Sequence, residues 1–260
     1  MIASFNNISP LGVVANSKRQ INQGPEYNYF FAGATYTDPI LHKTMDIDKT
    51  LEFMAKIVVE YNHETKKIAD LLYNPDVYQF SKNIWHFVYQ NIQYGPDKPN
   101  IEQLRSPKRT WADRHKGVDC DCMSIFISSI LTNKNIPHYF RITKYGRGWQ
   151  HVYVVVPHKG KEIIIDTVMD SFDSEKPYTE KKDFNPWTGK PLNGLGDISQ
   201  LNQLSNTKTT VTMIDWIKAN PVTTTAIGII GIALGYVVFD QLKKKKKPLS
   251  GNKSGRKKLK

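Results

Sequence analysis

Apolar residues recur at helical spacing in two early stretches. In 46–72, DIDKTLEFMAKIVVEYNHETKKIADLL, Leu51, Met54, Ile57 and Val58 fall three or four apart behind acidic start signals. Segment 74–97, NPDVYQFSKNIWHFVYQNIQYGPD, repeats that spacing through Val77, Phe80, Ile84, Phe87, Val88 and Ile92 until Gly95-Pro96 stops it. A third helix is predicted from Cys120, because Met123, Phe126, Ile127, Ile130 and Leu131 form one apolar stripe and Asp119 offers an N-cap. The pattern then changes to strand-like runs: HYFRIT (138–143), WQHVYVVV (149–156) and KEIIID (161–166). Residues 1–45 lack sustained periodicity and read as an arm. From Ser171 to about Asn206 the chain turns to Pro, Gly, Asn and charge, which reads as a covering loop followed by a linker over 181–215. Helices, then a cysteine-bearing helix, then a β-meander predict an α+β domain over 46–180.

Charge changes the picture at one end. The 260-residue chain carries a formal +12, which would suggest nucleic acid if it covered a folded surface. Nine Lys and Arg256, between Lys243 and Lys260, hold +10 of it without an acid among them, so residues 1–242 keep only about +2. Upstream of this tail, 219–239 reads ANPVTTTAIGIIGIALGYVVF, 21 residues without a charge. As a helix this stretch spans roughly 30 Å, about one bilayer core. A C-terminal transmembrane helix is therefore expected, with Trp216 and Tyr236 near its two ends. Gly231 and Gly235 form a small-residue pair that suits a homo-oligomer contact. The polybasic tail, 240–260, suits anionic lipid or nucleic acid equally. The positive-inside rule would keep Lys243–Lys247 cytoplasmic, yet MIASFNNISPLGVVANSKRQ shows no charged n-region followed by a long apolar core. A membrane location, single-pass with a C-terminal span, follows.

Cys120 and Cys122 are the only cysteines. A bridge between them would close a strained three-residue ring, so no disulfide is expected. Cys120 lies on the apolar face of its helix, three residues before Met123, and Cys122 about 200° around from it. A cysteine at a helix N-terminus meets unpaired N–H groups and the positive end of the dipole, which favour thiolate, although a small core cysteine would occupy the same position. His151 supplies a partner base. Alternation puts Trp149, His151, Tyr153 and Val155 on one strand face, and a hairpin turning near Lys159-Gly160 would bring Asp166 opposite His151. A carboxylate would then hold the imidazole while its other nitrogen faced Cys120.

These residues resemble a family. LRSPKRTWADRHKGVDCDCMSIFISSILTNKNIPHYFRIT, then WQHVYVVV, then IIIDTV, is similar to the transglutaminase-like cysteine domain, a papain-related fold, in its compact bacterial and phage form. That form has a G-D-C-D-D core, an apolar helix, G-I-P-x-R, H-V-Y-V and D-P, and the likeness covers roughly 75–180. The resemblance implies Cys120 as nucleophile, His151 as base and Asp166 as orienting acid, with Ile136-Pro137 and Arg141 at the turn into the first strand. Three departures stand out: Cys122 where an acid is usual, Thr167 where Pro is usual, and Asn135 in place of Gly. DSFDSEKPYTEKKDF also resembles the stretch after the acid in phage members, which makes a phage origin, and a virion membrane or bacterial inner membrane as the location, part of the expectation.

The implied fold is a cysteine-bearing helix packed on an antiparallel sheet beside N-terminal helices, and the implied chemistry is acyl transfer to water or an amine from a protein or peptide substrate. The Cys120 N–H would face the oxyanion, with Tyr94, Trp111 or His115 as the second donor. No cofactor motif or Ca²⁺ loop occurs. Two rival readings stay open. One is a metal site built from His115, Cys120, Cys122 and a distant histidine. The other is a membrane-anchored structural virion protein that keeps the fold without turnover.

Overall fold

The computed structural model describes residues 18–201, apart from 37, 39, 43–45, 99–100, 147, 195–196 and 198–200. The 219–239 span and the basic tail lie outside the described residues, among which no helix is long and apolar enough to cross a membrane. The stretch 46–72 forms two helices, not one. Helix α1 (Ile47–Tyr61) starts at Asp46, whose carboxylate accepts from the Asp48 N–H. It ends where the Asn62 side chain donates to the Val58 and Val59 carbonyls, each at 2.9 Å. A short 3₁₀ turn then leads into α2 (Lys66–Leu72). Helix α3 (Val77–Asn91) is capped by Asp76, which accepts from the Gln79 N–H at 2.9 Å. Between it and the cysteine helix lies α4 (Pro107–Asp113), begun by Ser106 as N-cap and Pro107 in the first turn.

Helix α5 (Cys120–Asn133) is the centre of the fold. The apolar stripe predicts one buried face, but every residue from Asp121 to Leu131 is buried. The cause is its position, with α1, α2, α3 and α4 around it and the sheet beside it. Serines tolerate this because each finds a partner: Ser129 donates to Ile125 O at 2.7 Å, and Ser128 bonds His138 Nε2 at 2.7 Å.

The sheet is an antiparallel meander in the order β5 (Lys161–Ile165), β4 (Gly148–His158), β3 (Tyr139–Tyr145), β6 (Glu180–Phe184). Two further short strands, β1 (Ile40–His42) and β2 (Ile101–Gln103), pair with each other. Lys159 and Gly160, at φ 50° and 75°, make the tight β4–β5 turn. Strand β6 falls inside the stretch read as linker. It is held there by main-chain pairing to β3 and by Arg141, which is fully buried and forks onto Asp183 at 2.8 and 3.0 Å and Glu162 at 2.7 and 2.8 Å. Hydrogen bonds from Arg141 hold the Glu162 carboxyl down at about 2. The α5-facing side of the sheet carries Phe140, Val152, Val154, Ile163 and Ile165, and its other side a second cluster of Tyr139, Tyr153, Val155, Ile164 and Leu201.

The N-terminal arm is also partly built into the fold. A 3₁₀ turn over Pro25–Phe30 sets Tyr27 edge-on to Phe87 at 5.1 Å, and Phe31 stacks on Trp111 at 4.8 Å.

After β6, Asn185 folds the chain back by accepting from the Trp187 and Thr188 N–H groups at 2.9 and 3.0 Å. Gly189 then sits on α1 at φ +68°, and a Cβ there would lie 2.3 Å from the Glu52 Cα. Neither backbone can yield cheaply, so Gly189→Ala is expected to cost about 3 kcal/mol of stability. Urea denaturation checks this, and an unchanged midpoint would contradict the packing described.

Candidate active site

The approach to Cys120 is fixed by main-chain bonds. Gln93 and Gly95 donate to the Arg114 and Val118 carbonyls, each at 2.9 Å, and Val118 donates to Gln93 O at 3.0 Å. This clamp works because Gly95 and Gly117 face each other, with room for no side chain: a Cβ on either would lie 3.0 Å from the Cα of the other. Asp119 then caps α5, accepting from the Cys122 N–H, so Cys120 begins the helix half-buried. Ser124 donates to Cys120 O at 2.7 Å and reaches Val152 O at 3.1 Å, tying the cysteine's turn to the strand that carries His151.

On that strand the simple alternation fails at one point. Thr143 pairs with His151 but Lys144 with Trp149, leaving Gln150 as the extra residue of a β-bulge. Trp149 therefore turns to the main core, while His151 keeps company with Tyr153, their rings 5.4 Å apart. The hairpin register also differs from the expected one. The last pair is Val154 with Ile165, so Asp166 lies past the end of β5 and reaches His151 diagonally. The contact is made nonetheless: Asp166 Oδ2 accepts from His151 Nε2 at 2.7 Å. The Val168 N–H donates to Asp166 Oδ1 at 3.0 Å, so both carboxylate oxygens are engaged, and Trp85 Nε1 fixes the residue's main-chain carbonyl at 2.8 Å.

Cys120 and His151 line the same cleft, and Cys120 adds to the pull of Asp166 on the ring. Since Nε2 faces Asp166, Nδ1 is the nitrogen for the sulfur. Burial alone would push the imidazole pKa down, but Asp166 and then Cys120 outweigh it and hold it at about 10. At neutral pH the ring is therefore an imidazolium beside the Asp166 carboxylate. Its contribution to stability is fully present below pH 6.5 and is lost as pH rises through about 10.

Cys122 occupies a different environment. It is fully buried, donates to Gln103 O at 3.1 Å and accepts from Arg105 Nη1 at 3.3 Å. Burial and then Asp119 push its thiol pKa up. The placement of Cys122 opposite an apolar stripe is thus replaced by a role in a buried polar knot. Asp119, Asp121 and Cys122 bring three ligand-type atoms within 4.8 Å of one another, but the cation beside them is the Arg105 guanidinium. His115 is exposed on the preceding turn and does not join them, so the four-residue metal set does not assemble among the described residues.

The Cys120–His151 pair opens on a cleft of about 330 Å³, walled by Leu51 and Met54 of α1 on one side and by Trp149 and Val152 on the other. Of the three oxyanion candidates only Tyr94 lines it. Burial and the nearby Cys120 push its phenol pKa up, so it remains an O–H donor. Trp111 donates its indole N–H to Asn28 Oδ1 at 2.9 Å inside the aromatic core, and His115 lies on the surface, so neither faces the sulfur. Among the described residues the Cys120 N–H donates to no acceptor. Trp85, Ser124 and Arg105 were not anticipated as supports. Their roles depend on contacts 81, 28 and 17 residues away, which no local pattern encodes.

The buried Asp119–Asp121 pair carries a pH signature. Burial raises Asp119 to about 6, and burial together with Asp119 raises Asp121 well above an ordinary carboxyl, so the proton of the pair resides on Asp121. A carboxyl raised in the folded state stabilises most below its unfolded value near 3.8 and loses that contribution as pH climbs through its folded value. Asp121→Asn retains a donor and removes the titration. Its melting temperature relative to wild type is expected to rise between pH 5 and pH 9, by about 1 kcal/mol equivalent. Parallel melting curves across that range would contradict the shared proton.

Residues 63–188 match the family model described as a transglutaminase-like domain, a span just under half of the chain that includes Tyr94, Cys120, His151 and Asp166. No curated protein and no solved structure matches the chain. The mixed architecture, with helices packed on an antiparallel sheet, agrees with that family match. Residues 63–188, which carry α5 and the four-stranded sheet, are thus similar to a transglutaminase-like domain.

Proposed function

We propose that this protein is a cysteine-dependent acyl-transfer enzyme acting on amide groups of a protein or peptide. The observation that carries the proposal is that Cys120 and His151 line one cleft while Asp166 holds the ring of His151 from behind at 2.7 Å. The Cys120 thiolate, its proton held on His151 Nδ1, attacks the amide carbonyl, forming an S–C bond as the C=O π pair moves onto the oxygen beside the Cys120 N–H and the Tyr94 hydroxyl. His151 then gives its Nδ1 proton to the departing nitrogen as the C–N bond breaks, leaving a thioester. Water or an amine enters, loses its proton to Nδ1, and releases the acyl group as the S–C bond breaks. Asp166 stays ionised and holds the ring throughout.

The setting of the enzyme is part of the proposal. The uncharged 219–239 stretch and the lysine-rich end beyond it support a membrane-anchored protein whose tail meets anionic lipid or nucleic acid. The likeness of 170–184 to phage members supports a phage-encoded virion or host-membrane protein.

Iodoacetamide labelling of the full chain in mild detergent, mapped by mass spectrometry at pH 6, tests the chemistry. Cys120 is expected to label fast and Cys122 only after unfolding, and His151→Ala is expected to slow Cys120 about a hundredfold. The wild type should also convert a glutamine-containing protein and hydroxylamine into a hydroxamate. Slow labelling of both cysteines, unchanged in the variant, would contradict an assembled pair and favour a tethered structural domain.

A further inference from the structure

Tyr94 lines the cleft and Asp166 holds the His151 ring that lines it, each from its own loop, and neither loop is in regular structure at that point. Asp166 follows the end of β5, and Tyr94 follows the end of α3. One side chain bonds both. Arg19, from the arm that precedes the first helix and lies outside the family match, donates through Nη1 to Thr167 O at 2.7 Å and through Nη2 to Ile92 O at 3.2 Å. These acceptors stand one residue after Asp166 and two before Tyr94.

The guanidinium is itself held in place. It lies 4.0 Å over the Tyr89 ring, Tyr89 donates to Asp170 Oδ1 at 2.8 Å, and Tyr89 stacks on Trp85 at 4.5 Å. Trp85 is the indole that bonds Asp166 O, so successive carbonyls, 166 and 167, take successive bonds from Trp85 and Arg19. The arm beside it is fastened where Asn22 donates to Gln90 O at 2.7 Å and Arg114 Nη2 donates to Gln23 O at 2.8 Å. Thr167, standing where the resembled family has Pro, donates its hydroxyl to Met123 Sδ at 3.4 Å while its carbonyl takes Arg19.

We infer that Arg19 is a positioning residue, and that the N-terminal arm is a strap that sets the distance between the Asp166 and Tyr94 loops and so the reactivity of Cys120. This inference rests on the acyl-transfer reading. Only a planar fork reaches two carbonyls on different loops at once, which a lysine ammonium cannot do in the same geometry. Loosening the strap lets Asp166 drift from Nε2, and the imidazolium that faces the sulfur loses its support.

The test is the pH profile of Cys120 alkylation from pH 5 to 9 in the full chain. Arg19→Ala is expected to slow labelling at pH 6 about tenfold and to move the acid limb toward that of an ordinary thiol. Guanidinium ion at tens of millimolar should restore part of the rate, and Lys18→Ala, an exposed neighbour, should leave the profile unchanged. Arg19→Lys, the milder variant should Arg19→Ala not fold, is expected to shift the limb in the same direction. A wild-type profile on the acid side that neither Arg19 variant moves would overturn the role of the strap alone. A wild-type profile already that of an ordinary thiol would overturn the acyl-transfer reading and the strap with it.

Discussion

The contact between the His151 imidazolium and the buried Asp166 carboxylate is the constraint on which the site depends. A buried charge is costly unless it is paired, and here the side chain of His151 is 13 % exposed and that of Asp166 only 1 %. The pair persists because the carboxylate's other oxygen and the residue's carbonyl are both engaged, by Val168 and Trp85. Once the ring is fixed and charged, its second nitrogen can serve only what lies at the start of α5. The architecture supplies Cys120 there, at the one end of a buried helix where backbone N–H groups remain unpaired.

The rest of the fold can be understood as the means of holding that helix end still. Glycines at 95 and 117 let two loops touch, Ser124 pins the first turn of α5 to β4, and the buried knot of Arg105, Cys122 and the aspartates packs behind it. This division of labour answers why two cysteines stand one residue apart. Cys120 begins the helix and faces the cleft, whereas Cys122, two positions on, is sealed against Gln103 O and Arg105 and behaves as an inert, structural thiol. Where the resembled family has an acid, Cys122 shares the knot with the carboxyls of Asp119 and Asp121.

Much of this was legible in the residues. Helical spacing located α1, α3 and α5, period-two runs located β3 to β5, and the order of Cys, His and Asp brought the three into one hypothesis. Periodicity misled where burial was two-sided: the stripe on α5 predicts one apolar face, yet serines and Asp121 are buried too, because each has a partner from its own helix or a neighbouring element. Alternation misled at Gln150, since a bulge inserts one residue without any mark in composition. Strand β6 reads as linker because EKKDF is charged; an edge strand on a meander can be polar, and Asp183 pairs with the buried Arg141, 42 residues away. Arg19 was illegible for the same reason, its partners being 73 and 148 residues distant.

The most direct test of the central claim is a titration of the His151 ring by NMR, in the full chain with ¹⁵N-labelled histidine. The account predicts an imidazolium that persists well above pH 8, titrating at about 10, and an Asp166→Asn variant that titrates lower. A His151 resonance that titrates near 6.5, like a free histidine, and does not respond to Asp166→Asn would contradict the pair and the site built on it.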